Sequence, residues 1–283
     1  MEAVPPAPAF SWTSGEVHAD VLVGVALLGA LWAAARRAQG EPVRSVEGAR
    51  FGAGLLVLLG ALNGPLHDLA DYYLFSAHMV QHLLLTLVVP PLLLAGTPAW
   101  MLDGILAPLL RWRATRPIVR VLVRPLPQFA LYTVALVAWH LPGPYGAALE
   151  RHGWHIVEHL VLIGTAILGW WPVLSPSRLA PQLPYGAQIL YLFAFGIPMT
   201  VVAAMITGAD EVLYAFYATA PRLGALGPLE DQRLGGIIMW VPAGLVPLVA
   251  FTVVFFRWAA AEADAPPERT DDREADEAAV SER

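Results

Sequence analysis

The chain contains no cysteine, which excludes disulfides, zinc-thiolate sites, iron–sulfur clusters and any thiolate trap for copper. It contains no lysine either, so all 17 basic residues are arginine. Charge of both signs is scarce: Asp, Glu, Lys and Arg make up 14% of 283 residues, against about 25% in a soluble domain. The formal net charge of −6 comes mostly from the C-terminal tail and says little about partners, and nucleic acid is not expected among them. No basic residue precedes the first apolar run, so the N-terminus lacks the n-region of a cleavable signal peptide and the first helix is expected to stay as an anchor.

What the chain has instead is apolar sequence, 57% hydrophobic with a mean hydropathy of +0.57. Runs such as 17–35 and 235–256 approach the ~20 apolar residues needed to cross a bilayer core of roughly 30 Å. The expected fold is all-α, a polytopic membrane bundle of about seven transmembrane helices. The spans are read at 17–35, 50–64, 76–97, 125–141, 153–172, 185–207 and 235–257. Pro90, Pro91, Pro198, Pro242 and Pro247 fall inside spans and are read as kinks, because neighbouring helices can take up the carbonyls that proline frees.

Arginine sets the expected orientation. Arg36, Arg37, Arg44 and Arg50 follow span one, Arg111 to Arg124 follow span three, and Arg257 closes span seven. The opposite loops hold Arg151, Arg222 and Arg233 among several carboxylates. The N-terminus is thus expected outside and the C-terminus in the cytoplasm. Three parts follow: an extracytoplasmic segment 1–16, the transmembrane domain 17–258, and a cytoplasmic tail 259–283. That tail is acidic and free of aromatics, so it is expected to be disordered.

On this topology all eight histidines fall at or near one membrane face. His78 and His82 form an i,i+4 pair, as do His155 and His159, with His152 three residues earlier on the same stripe. His140 ends span four and His67 lies just before span three. Ionisable groups inside a bilayer are costly without a partner or a task, and imidazole is the commonest protein metal ligand. His78, His82, His140, His155 and His159 are therefore candidate ligands, with His67, His152 and Met239 as possible additions. Imidazole with thioether suits copper, especially Cu(I). Asp68, Asp231 and Glu158 are candidate acceptors that orient imidazole N–H groups, and Asp231 could equally serve as the N-cap of span seven. Met79 and Met199 read as packing residues, His18 as an interface residue.

Several segments together carry a resemblance: Asn63-Gly-Pro-Leu-His67-Asp68, Phe75-Ser-Ala-His78-Met-Val-Gln-His82, Trp139-His140-Leu-Pro, the stretch from His152 to His159, Trp170-Trp171-Pro172, and Asp231-Gln-Arg-Leu-Gly-Gly-Ile-Ile-Met239-Trp240. The chain resembles the multi-span CtaG family of bacterial cytochrome c oxidase assembly proteins over about 63–258. The resemblance implies a non-enzymatic assembly factor of the bacterial cytoplasmic membrane. It would help copper reach the catalytic subunit, subunit I, of a haem–copper oxidase. On the reading of the residues themselves, an extracytoplasmic chaperone would supply the copper and His67 and Met239 would serve as entry or exit ligands. A haem-binding electron-transfer protein and a metal-free scaffold remain alternatives. So does a metallopeptidase using His155-x-x-Glu158-His159, an inverted zincin pattern.

Overall fold

The structure, a computed structural model, describes residues 10–13 and 15–264. The acidic tail beyond Asp264 and most of the segment 1–16 lie outside the described residues. Everything regular among the described residues is helical. Five stretches are long and apolar enough to cross a membrane: α1 (Ala19–Ala38), Phe75–Ala95, α10 (His152–Leu174), Tyr185–Thr207 and α14 (Pro228–Ala263). The number becomes seven if two bent pairs each count as one span. These are α2 (Val46–Leu62) with α3 (Pro65–Tyr72), bent by 44°, and α7 (Arg116–Leu122) with α8 (Pro125–Trp139), bent by 79°.

The shorter helices join these. α4 (Phe75–Leu83) and α5 (Val89–Ala95) flank a π-helical stretch, Leu84–Val88, within the third span. α6 (Ala99–Arg111) follows it, and α9 (Pro142–Glu150) connects α8 to α10. α11 (Tyr185–Phe195) and α12 (Ile197–Thr207) make the sixth span, broken at Gly196, and α13 (Ala215–Thr219) leads to α14.

The prolines explain much of the irregularity. Pro90 has no N–H to give the Thr86 carbonyl four residues back, and the π-helical turn sits there. The freed carbonyl accepts a 3.0 Å hydrogen bond from Trp170 Nε1 on α10, and the Thr86 hydroxyl donates to His82 O at 2.7 Å. A defect in one span is thus satisfied by its neighbour, as lipid requires. Pro242 and Pro247, by contrast, lie inside an unbroken α14. That helix also begins earlier than the expected 235, because Pro228 supplies a ready-made first turn.

Lipid offers no hydrophobic drive to helix association, so close approach of backbones carries it. Gly235 and Gly236 serve this purpose on α14. A Cβ on Gly235 would lie 2.4 Å from Phe75 Cδ1, and one on Gly236 would lie 2.3 Å from Thr207 Oγ1. Through these two glycines α14 is pressed against both α4 and α12. The main core fills the space they enclose, with Phe75, Met79, Tyr132, Leu136, Tyr145, Trp170, Phe195, Tyr217 and Met239 among its buried residues.

Candidate metal centre

Two helices carry the centre. Its first wall is α4, whose first turn is fixed from a distance: Asp231, fully buried on α14, accepts from Phe75 N (2.8 Å), Ser76 N (3.2 Å) and Ser76 Oγ (2.5 Å). Negative charge at a helix N-terminus satisfies its free N–H groups and its dipole. Asp231 therefore caps α4. It is not the N-cap of its own helix, a position held by Gly227, because α14 starts three residues ahead of it. Nor do its recorded hydrogen bonds go to an imidazole.

One turn on, His78 and His82 stand edge to face, ring centroids 4.3 Å apart and Nε2 atoms 2.8 Å apart. His78 Nδ1 lies 3.1 Å from Tyr217 Oη, which itself donates to the Ala70 carbonyl. The second wall is α10, which turns His155, Glu158 and His159 inward and leaves His152 exposed at its start. One ligand atom from each of His78, His82, Glu158 and His159 lies within 4.8 Å of the others, and all four residues are buried. A second group, Asp71, His78 and His155, meets the same limit and shares His78.

The histidines form one continuous series. His152 stacks on His18 (6.0 Å between centroids), and His18 meets His67 edge to face at 4.4 Å. His67 stacks on His155 (5.8 Å), which approaches His159 (4.3 Å) and His78 (5.6 Å). His140 lies beyond His82 at 5.4 Å. Every histidine in the chain thus has another ring within about 6 Å, running from an exposed mouth to a buried interior.

Beyond His82 lies a small cavity of about 10 Å³, lined by Met79, Met199, Met239, His82 and His140 with aliphatic neighbours. That is room for about one water-sized guest. His140 Nδ1 lies 2.7 Å from Leu136 O and its Nε2 has no partner; His82 Nδ1 has none either. Its walls include three thioethers, so Met79 and Met199, read from the sequence as packing residues, are in fact set beside two histidines.

Several buried polar atoms without hydrogen-bond partners gather here: His82 Nδ1, His140 Nε2, His155 Nε2, His159 Nε2 and both oxygens of Glu158. Glu158 is wholly buried, 3.7 Å from His82 Nε2 and 4.0 Å from His155 Nε2. A buried carboxylate with no hydrogen bond costs several kcal/mol unless a cation or a proton offsets it. The donor set fits a metal ion on that ground.

The remaining expectations divide. Glu158 sits among the candidate ligands themselves. Asp68 is directed elsewhere, accepting from Glu16 N at 3.1 Å and so tethering the N-terminal segment to α3. The carboxylate that meets imidazoles is Asp71, 3.3 Å from both His67 Nε2 and His155 Nδ1. It lies four residues after His67 on α3, a spacing that could have exposed it. Gln81 was also missed: its Nε2 is 2.8 Å from His67 Nδ1 and donates to Ala61 O at 2.8 Å. Tyr217 left no local sign, since its contact with His78 spans 139 residues.

Against known families, residues 26–261 match the model of the cytochrome c oxidase caa3 assembly factor family (Caa3_CtaG). The chain belongs to that family. Among curated proteins it is similar to uncharacterized proteins of Mycobacterium leprae, Mycobacterium bovis and Mycobacterium tuberculosis. Each is 24% identical over 208 residues, covering 66% of this chain and 30% of the relative. The chain thus spans under a third of those relatives' length. No solved structure matches.

Proposed function

We propose that this Caa3_CtaG protein receives copper at the histidine-rich end of its bundle and passes it to the catalytic subunit of a haem–copper oxidase during assembly. The observation that carries the reading is the convergence of unpartnered buried atoms from His82, His140, His159 and Glu158. Copper is cargo here: the chain exchanges coordination bonds to it and makes or breaks no covalent bond.

The route follows the imidazoles. An extracytoplasmic copper chaperone delivers to exposed His152 at the mouth, and His18, His67 and His155 lead inward. His78, His82, Glu158 and His159 hold the ion next. His82 has a nitrogen on each side of the following step: Nε2 toward His78, and an unpartnered Nδ1 on a ring that also lines the Met79/Met199/Met239 cavity. Thioether and imidazole together favour Cu(I) over harder cations. Several partial ligand sets in sequence, rather than one tight cage, suit a donor that must release.

The orientation is part of the proposal. Arginines cluster at the loops after α1, around α6 and α7, and at Arg257, while the histidines occupy the other end, so the mouth faces outward across the bacterial cytoplasmic membrane. Transfer to oxidase subunit I would then run laterally within the membrane. Haem is less favoured, since His78 and His82 bring their Nε2 atoms within 2.8 Å and leave no slot for a macrocycle between them. The peptidase reading is disfavoured because Glu158, its base, is fully buried.

The test is oxidase copper measured in membranes of cells carrying His82→Ala or His159→Ala. Both variants should leave the oxidase protein present but copper-deficient. Normal oxidase copper in both would sink the proposal.

A further inference from the structure

A long groove runs down the membrane-embedded flank of the bundle, between α1 and α10, and beyond His159 neither wall is used in the route above. Its volume is about 450 Å³, within the range of small-molecule sites. Along α10 its lining extends from His152 to Ile167, about 22 Å at a rise of 1.5 Å per residue. The shaft is aliphatic, with Val25 and Leu28 facing Leu160 and Ile163. The head is polar, ringed by His18, Asp20, His67, His152 and His155.

The opening is built into the fold, because α1 is pinned at both ends, rests between them on α2, where a Cβ on Gly29 would lie 3.1 Å from Leu55 Cδ1, and leaves its side toward α10 open. At the head, His18 N donates to Asn63 Oδ1 at 2.8 Å. At the far end Trp32 stacks on Phe51, its Nε1 donates to Gly96 O, and Arg36 pairs with Glu47 at 2.7 Å. Midway, a Cβ on Gly24 would meet nothing within 4 Å, though Gly24 lines the groove.

We infer that this groove binds an isoprenoid quinone or quinol, its ring at the histidine head and its tail along α1 and α10. Three observations select that occupant. The length and the aliphatic lining demand an elongated apolar tail. His18 Nε2 is buried, unpartnered and on a residue that lines the head. A neutral imidazole can donate to a quinone carbonyl or accept from a quinol hydroxyl. Finally, no arginine lines the groove and Asp20 stands at its head, which disfavours the phosphate of a phospholipid and leaves a neutral head group. The head shares His18, His67, His152 and His155 with the copper route above, and the shaft variants, which leave those residues intact, separate the two readings.

The test uses the full-length protein purified in mild detergent, with decylubiquinone added and bound ligand counted by native mass spectrometry. Organic extracts of the same samples are assayed for native quinone, phospholipid and haem. Gly24→Phe fills the shaft where there is room for it, and Leu160→Trp narrows it from the other wall should the first variant fold poorly. Wild type should carry a quinone, and a folded shaft variant should bind about tenfold less, equivalent to about 1.4 kcal/mol. Copper content should be unchanged in the shaft variants, while His82→Ala should lose copper and keep quinone. Equal quinone binding in wild type and both shaft variants would overturn the inference, as would phospholipid or haem as the groove's occupant or no retained ligand at all.

Discussion

Asp231→Ala tests whether a residue outside the ligand set controls the centre. The carboxylate is fully buried and accepts three hydrogen bonds, two of them from backbone N–H groups at the start of α4. Deleting it leaves those donors in an apolar interior, where each unsatisfied group costs about 1–3 kcal/mol. The Ser76 hydroxyl can rotate to another partner, so the expected loss is about 2–4 kcal/mol, in line with one lost cap and one orphaned N–H. Asp231→Asn keeps one acceptor and should cost roughly half as much. For a chain of this size each kcal/mol moves the thermal midpoint by about 2 °C, so Asp231→Ala should melt about 4–8 °C lower in detergent. His78 lies three residues beyond Phe75, so fraying of that first turn should also lower bound copper, although Asp231 is no ligand. An Asp231→Ala protein that melts within about 1 °C of wild type and holds as much copper would refute the capping argument.

Three further expectations follow from single contacts. Gly236→Ala places a Cβ 2.9 Å from the backbone nitrogen of Thr207, so α14 must move off α12; overpacking of this kind costs about 1–3 kcal/mol and should appear as a lower melting midpoint. Glu158→Gln removes a candidate anionic ligand while keeping its shape, so it should weaken copper binding in a competition titration and leave the metal-free protein folded; unchanged copper affinity would remove Glu158 from the ligand set. Asp103 on α6 is held below the usual carboxylate range, chiefly by the Ser177 hydroxyl, with Arg178 and Leu179 N–H groups adding to it. Its folded value is depressed, so its grip on the 175–184 loop is fully present above about pH 4 and is lost as pH falls through that lower value. Protection of this loop, its exchange relative to the intrinsic rate at the same pH, should therefore fall in acid in wild type, and Asp103→Asn should show the lower protection at every pH.

The spans and the two i,i+4 histidine pairs were legible because both features are local. Helical spacing places His78 by His82 and His155 by His159 before any tertiary contact forms. Contacts made across the chain were hidden. Asp231 reads as a cap and is one, but for a helix more than 150 residues earlier, and sequence gives no pointer from Asp231 to Phe75. Asp71 meets His67 by i,i+4 spacing within α3, but its contact with His155 on α10 depends on where α3 packs, which spacing alone does not give. Convergence of several spans on one His/Met pocket is legible from the similar depths of His82, Met199 and Met239 along their spans, whereas the part Met79 and Met199 take in lining it is not. The segment 116–124, read as a loop, holds α7, set at 79° to α8 and too short to cross a membrane itself.

The central claim is that these histidines hold copper, and metal per chain measures it most directly. Protein purified from copper-supplied cells would be assayed for copper, zinc and iron by elemental mass spectrometry, beside His78→Ala/His82→Ala. The account expects copper near one per chain in wild type and its loss in the double variant, with both proteins still folded. Copper absent from wild type, or retained undiminished by the folded double variant, would contradict it.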